Sequence, residues 1–349
     1  MTTSEQDEKA VAGAGGQPPK VVIVDTWAAG SPASADAVGV LERAGCRVEV
    51  TSARAEDDVI SAVRDADGII FTGRISRRFM ESLTRCRVLA RTSIGMDAVD
   101  GIDVATAKGV VLCNMPLVIE EDVADHAMAL LFACARRIHL QDRGVRDGAW
   151  PRGSVPGTDG IPRLYDSSLG IVGLGNIGRA VARRAKGFGM RVRAADPYVP
   201  VETFERLGVR RASLVEVLQD SDFVSLHVPL SDETRHLIGD RELRLMPART
   251  MLVNTSRGAV VDEAALVAAL QEGRLAGAGL DVMEQEPIGA DHPLCGLDNV
   301  VLTPHSASRA AVTDRERHIR PAQEVAAVLA GHRPRAVWNP EVLDGLQLR

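Results

Sequence analysis

Apolar and polar positions in this chain fall into short segments whose period switches back and forth. KVVIVDTW at residue 20, CRVEV at 46, GIIFTG at 68, CRVLART at 86 and GVVLCN at 109 are compact aliphatic and β-branched runs. Between the first few lie helical spacings, one ending at Ala44 and one near residues 56–65. A second series begins at Leu169 with LGIVGLG, MRVRAADP, FVSLHVPL, TMLVNTSRG, LAGAGLDV and VVLTPH, again with helical stretches between. Apolar runs without polar alternation suit strands buried on both faces, and their alternation with helices predicts a parallel sheet covered on both sides. The expected fold class is therefore α/β, with two doubly wound parallel-sheet domains.

Between the two series lies EEDVADHAMALLFACARRIHLQDRGVRDG, whose residues Val123, Ala127, Leu130, Leu131 and Cys134 keep helical spacing and predict one long helix. Residues 309–332 are helical again and are expected to return to the first domain. The organisation expected is a first domain at 20–117 plus 309–349, flavodoxin-like, with a Rossmann domain at 118–308 inserted into it. Residues 1–19 carry no apolar pattern and are expected to form a disordered tail.

Composition removes several function classes. A net charge of −6 and a pI near 5.8 leave no broad basic face for nucleic acid or an anionic membrane. No apolar run reaches the roughly 18 to 20 residues that span a bilayer, and the first residues lack the core of a secretion signal. The five cysteines are scattered without metal-ligand spacing, so neither a disulfide framework nor a zinc site is expected, and the cytoplasm is the expected compartment. Lysine occurs at only four positions, Lys9, Lys20, Lys108 and Lys186, an arginine bias that points to a GC-rich bacterial genome.

The chemistry starts at SLGIVGLGNIG, residues 168–178. After a buried strand, Gly173 permits a tight turn, Gly175 lets the backbone approach a pyrophosphate, and Gly178 lets helix and strand pack closely. Asn176 and Ile177 open the helix whose N-terminal N–H groups receive the anion. Asp196 ends the next strand, near the spacing of about 20 residues at which a carboxylate binds an adenosine ribose. A carboxylate there repels a 2′-phosphate, and no arginine stands at 197 or 198 to offset it, so NAD is the expected cofactor and NADH is preferred over NADPH.

Three further strand ends carry reactive groups, in MLVNTSRGAVVD, AGLDVMEQEP and VVLTPHSAS. Together with RTSIGMDAVDGID, CNMP and EEDVADHA upstream, this set resembles the D-isomer-specific 2-hydroxyacid dehydrogenase family over roughly residues 20–340. The resemblance implies Arg257, Glu286 and His305 as the catalytic set. Arg257 offers a planar fork for a substrate carboxylate, and His305, held by Glu286, donates a proton to the carbonyl oxygen. It also implies Asp281 at the nicotinamide carboxamide, and Val228, Pro229, Thr234, Thr255, Ser256, Arg257, His305 and Ser308 along the cofactor. The backbone of Ser93, Ile94 and Gly95 is implied at the substrate carboxylate, as an anion-binding turn. Arg74 and Arg91 are candidates for a second anion on the substrate tail. Alternatively, Arg74 is a solvated neighbour of Arg77 and Arg78, and Arg91 pairs with Asp97 or Asp100.

Glu286 argues against the formate dehydrogenase branch, which carries Gln there. Three functions stay open: a reductase of small 2-oxo acids, an NAD-regulated binding protein like the C-terminal-binding corepressors, and a phosphite dehydrogenase. The family's matching central helix forms a two-fold interface, so the resemblance implies a homodimer.

Overall fold

The computed structural model describes residues 17–24, 32–115, 118–150 and 160–349. Most of the N-terminal tail and position 116 of the CNMP motif lie outside the described residues. The chain divides into two compact units, Met1–Val118 with Ala310–Arg349, and Ile119–Arg309.

In the first unit, β1 (Lys20–Val24), β2 (Arg47–Thr51), β3 (Gly68–Phe71), β4 (Val88–Arg91) and β5 (Val111–Cys113) form a parallel sheet in the order β2-β1-β3-β4-β5, the flavodoxin-like order. Adjacent residues of β1 serve opposite faces. Val21 and Ile23 pack with Leu41, Val325 and Leu329, whereas Val22 and Val24 pack with Val63, Phe79 and Met80. Strands burying side chains on both faces are why the runs read as continuously apolar.

The helix Ala311–Leu329 belongs to this first unit, packed beside the helix Pro32–Arg43. Gly68 makes room for it, since a Cβ there would stand 2.7 Å from Val325 Cγ1. Farther on, the buried Asn339 binds the end of the chain to β5. Its Oδ1 accepts from Leu112 N at 2.9 Å, and its Nδ2 donates to Val110 O at 3.0 Å.

The second unit holds β6 (Ser168–Val172), β7 (Arg191–Ala195), β8 (Arg210–Arg211), β9 (Phe223–Leu226), β10 (Met251–Asn254), β11 (Gly277–Leu280) and β12 (Val300–Leu302). All pair in parallel, in the order β12-β11-β10-β9-β6-β7-β8. This is the doubly wound nucleotide-binding arrangement, with its order reversing between β6 and β9. The two-residue β8 has no apolar run and is not predicted by the pattern. The expected single long helix is instead two, Glu120–Arg136 and Ile138–Arg146. Arg137 adopts a left-handed φ of 51° and ends the first, a break that the apolar spacing does not encode. Only the first helix is a core element, with Val123, Ala127, Leu130, Leu131 and Cys134 all buried; the second buries nothing. No described helix is long and apolar enough to cross a membrane.

The seat of the C-terminal helix is testable. Gly68→Ala forces Val325 aside and is expected to destabilise the protein by about 1–3 kcal/mol. Adding Val325→Ala should return part of that loss, giving non-additive shifts in the thermal unfolding midpoint. Additive shifts would mean that the two residues are not in contact.

Candidate active site

The glycine loop follows β6 at the point where strand order reverses, and its three glycines meet three different constraints. Gly173 has φ 91°, and a Cβ there would lie 2.6 Å from His227 O. Gly178 stands against the turn itself, where a Cβ would be 2.1 Å from Gly173 O. Gly175 instead faces open space, with nothing within 4 Å of a Cβ. It lines a cavity of about 790 Å³ together with Gly173, Asp196, Val228, Pro229 and Thr234.

The helix Asn176–Gly187 begins at this loop with no acidic residue in its first turn, so its N–H groups and dipole are available to an anion. Ile177 packs on the core, and the Asn176 amide lies 3.4 Å from the Glu120 carboxylate. Asp196 Oδ2 accepts from Leu174 N at 2.8 Å and Oδ1 from Tyr198 N at 2.9 Å. The carboxylate is thus fixed to the glycine loop and keeps lone pairs free for sugar hydroxyls. Thr234 shapes the loop opposite, accepting from Ser231 N at 2.8 Å and donating to Pro229 O. On the far lip Tyr198 donates to the Glu233 carboxylate. His227, beside Gly173, is pushed down to about 3 by burial and is neutral at physiological pH.

Strand register brings the remaining groups to the same sheet edge. Asn254 pairs with Leu280, and Leu280 with Leu302, so the segments after β10, β11 and β12 emerge together. Asp281, wholly buried, joins two of them. Its Oδ1 accepts from Thr303 Oγ1 at 2.6 Å and Ser306 N at 2.8 Å, and its Oδ2 from Ala307 N at 2.8 Å. His126 reaches both groups, 2.9 Å from Thr303 Oγ1 and 3.5 Å from Asp281 Oδ1. Burial alone would raise the pKa of Asp281, but the bonds from His126, Thr303 and the two N–H groups hold it below the ordinary value.

Those bonds shape the loop on which His305 sits. Its backbone N–H donates to Asp281 O at 2.8 Å, and its φ is 50°, in the left-handed region that non-glycine residues rarely occupy. His305 Nδ1 lies 2.7 Å from Glu286 Oε2, and Glu286 Oε1 accepts from Met283 N at 3.0 Å. Burial works to raise the Glu286 pKa, yet the His305 and Met283 bonds outweigh it and hold the carboxyl below its ordinary value. With Nδ1 engaged, Nε2 is the ring nitrogen left for a substrate, and the side chain is 49% exposed.

Arg257 stands after β10 in a turn tied by Asn254, whose Nδ2 donates to Arg257 O at 2.9 Å while its Oδ1 accepts from Ser256 N at 3.0 Å. The next residue explains how this turn meets the Glu286 loop. A Cβ on Gly258 would fall 1.9 Å from Met283 C and 2.4 Å from Glu284 N. Backbone therefore lies directly on backbone. Thr255 Oγ1, at the end of β10, is buried and makes no hydrogen bond among the described residues. Ser308 is half-buried just beyond the N–H groups that hold Asp281.

Within the first unit, the loop after β4 is fixed through its carbonyls. Ile94 O accepts from Asn114 Nδ2 at 2.9 Å and Ser93 O from Met115 N at 3.3 Å. Among the described residues the N–H groups of Ser93, Ile94 and Gly95 donate to no protein acceptor. Arg91 is only 6% exposed. Arg74 is exposed, while its neighbours Arg77 and Arg78 pair with Asp103 and Asp57.

Sequence reasoning passed over His126, Thr303 and Gly258. The glycine following Arg257 was the available signal, because glycine where no turn is required marks close backbone approach. No local signal links His126 to Thr303, 177 positions away.

The open face at Gly175, the acid-free helix start, the anchored Asp196 and the unmatched Thr255 hydroxyl all fit a nicotinamide dinucleotide. Comparison with known proteins agrees. The family model for the D-isomer specific 2-hydroxyacid dehydrogenase NAD-binding domain matches residues 128–307. A glyoxylate reductase from Korarchaeum cryptofilum is 46% identical over 292 residues, covering 82% of this chain and 86% of its own. A D-3-phosphoglycerate dehydrogenase from Methanocaldococcus jannaschii is 35% identical over 323 residues, 92% of this chain and 59% of that one. The crystal structure of a glyoxylate reductase from Paecilomyes thermophila superposes with a TM-score of 0.81 at 27% identity, covering 93% of this chain and 99% of that one.

The contact at Gly258 predicts that Gly258→Ala, by parting the Arg257 turn from the Glu286 loop, lowers kcat by about a hundredfold. NADH binding, read by tryptophan fluorescence quenching, should persist. Wild-type turnover in this variant would show that the approach is not needed.

Proposed function

The chain belongs to the D-isomer specific 2-hydroxyacid dehydrogenase family, and on that premise we propose that it reduces glyoxylate, or a 2-oxo acid of similar size, with NADH. NAD-linked hydride transfer on 2-oxo and 2-hydroxy acids is the chemistry of that family. The observation that carries the substrate reading is the His305–Glu286 pair, 2.7 Å apart, on a segment packed against the Arg257 turn.

The bound dinucleotide supplies the hydride. Arg257 pairs with the substrate carboxylate through two N–H donors, a geometry that lysine lacks. His305 Nε2 gives its proton to the carbonyl oxygen as that oxygen gains charge, and Glu286 holds the ring so that Nε2 faces the substrate. In the first unit, the free N–H groups of Ser93, Ile94 and Gly95 bind a carboxylate, and Arg74 with Arg91 serves substrates whose tails carry a second anion. Glyoxylate is favoured by the 46% identical relative.

We place the enzyme in the cytoplasm of a bacterium, a reading supported by its arginine bias, and as a homodimer. The dimer reading rests on the helix Ile138–Arg146, which buries none of its residues, and on the exposed Ile138, Val145 and Trp150 along that segment. Sedimentation velocity at micromolar concentration should return twice the chain mass; a monomer overturns the dimer.

Absorbance at the NADH band, followed across a panel of 2-oxo acids, tests the function. Glyoxylate should turn over and His305→Ala should remove most of kcat, whereas no turnover of any member sinks the reading. NADH should be used about tenfold better than NADPH, a difference of roughly 1.4 kcal/mol, and equal use would remove Asp196 from the ribose. Because Glu286 is held below its ordinary 4.5, its carboxylate is ionised above that lowered value and is neutralised as pH falls through it. The kcat/KM profile should therefore hold through 4.5 and decline only below it, and Glu286→Gln should abolish that decline while lowering the rate.

A further inference from the structure

We propose that Glu263 is a positioning residue for the acid–base pair, fixing the loop that carries Glu286 to His305. The inference rests on the reading of that pair given above. Glu263 is the first residue of the helix Glu263–Gln271, whose start is set by Asp262 accepting from Ala265 N at 3.0 Å. Its two oxygens face different partners. Oε2 accepts from Glu284 N at 3.0 Å, and Oε1 lies 3.1 Å from His292 Nε2. Glu263 and His292 are 19% and 20% exposed, so water competes poorly for either bond.

Glu284 is held from two other directions. Its side chain meets His236 Nε2, and its backbone N–H lies on the face that Gly258 leaves open. The adjoining residue donates its N–H to the reactive carboxylate, Met283 N to Glu286 Oε1 at 3.0 Å. Neither Glu263 nor His292 borders the glycine-loop cavity. Releasing residue 284 therefore shifts the Met283 N–H, and the Glu286 carboxylate loses the donor that aims its other oxygen at His305 Nδ1. Amide and carboxylate have the same shape, so Glu263→Gln keeps an acceptor for Glu284 N but loses the bond to His292, whose Nε2 carries the ring proton because Nδ1 accepts from Leu294 N at 3.4 Å. Glu263→Ala keeps neither.

Two readouts test this, one of them independent of turnover. Amide hydrogen exchange should show Met283 losing protection in Glu263→Ala while the β10 and β11 amides keep theirs, which also establishes that the variant is folded. Steady-state reduction of glyoxylate should show kcat falling between about tenfold and a hundredfold, with NADH affinity unchanged. Glu263→Gln, which keeps the acceptor for Glu284 N, should restore most of both properties, and His292→Ala should give an intermediate loss of each. Met283 protection retained in Glu263→Ala overturns the proposal even if kcat falls, as does protection lost with kcat unchanged. If the wild type reduces no 2-oxo acid, the proposed function fails, while the exchange measurement still decides whether Glu263 holds the Glu286 loop.

Discussion

An ionised carboxylate with no solvent exposure survives only where donors replace the water it has lost. Asp281 is in that position, and the donors come from Thr303, Ser306, Ala307 and His126. Meeting that requirement wraps the chain after β12 around the end of β11. It draws His305 into a left-handed conformation that its own side chain does not favour, and places the ring beside Glu286. The buried charge therefore accounts for the orientation of the exposed His305 ring.

Close backbone approach is the second device in the same unit. Gly178 lies on Gly173 within the glycine loop, and Gly258 lies on Met283 and Glu284 beside the His305–Glu286 pair. In both places a methyl group would overlap main-chain atoms, which cannot move aside as the end of a flexible side chain can. The first contact sets the turn that opens onto the cavity at a helix start. The second holds the Arg257 turn against the loop that carries Glu286. The two groups proposed to bind substrate charge and to donate the proton are thus spaced by packed main chain.

The division of labour between the ends of the sheet follows from parallel topology. All seven strands of the second unit point the same way, so every strand's C-terminal segment emerges at one edge, and the order reversal between β6 and β9 leaves the dinucleotide space there. His227, kept neutral by burial, adds no charge beside that space at physiological pH. Asp196, the carboxylate proposed to meet the ribose, is anchored to the glycine loop by the bond from Leu174 N.

Much of this was legible in the sequence, because it depends on local period and residue type. Runs such as KVVIV and LGIV are apolar on both faces, which by itself requires covered parallel strands. Three glycines after a strand and an acid one strand later require little more than chain geometry to suggest a dinucleotide. The strand-end positions of Arg257, Glu286 and His305 likewise follow from where each apolar run stops. What the sequence left undetermined depends on contacts between distant segments. The break at Arg137 turns on one backbone angle that apolar spacing does not record, and β8 forms with two arginines because a neighbouring strand edge is available to pair with. The bonds from His126 and Thr303 to Asp281, and from Glu263 to Glu284, exist only once helices and strand ends far apart in the chain are brought together. Residue type and period determined which groups were present and at which strand ends; tertiary packing decided what each is bonded to, since a hydrogen bond depends on distances that sequence separation does not set.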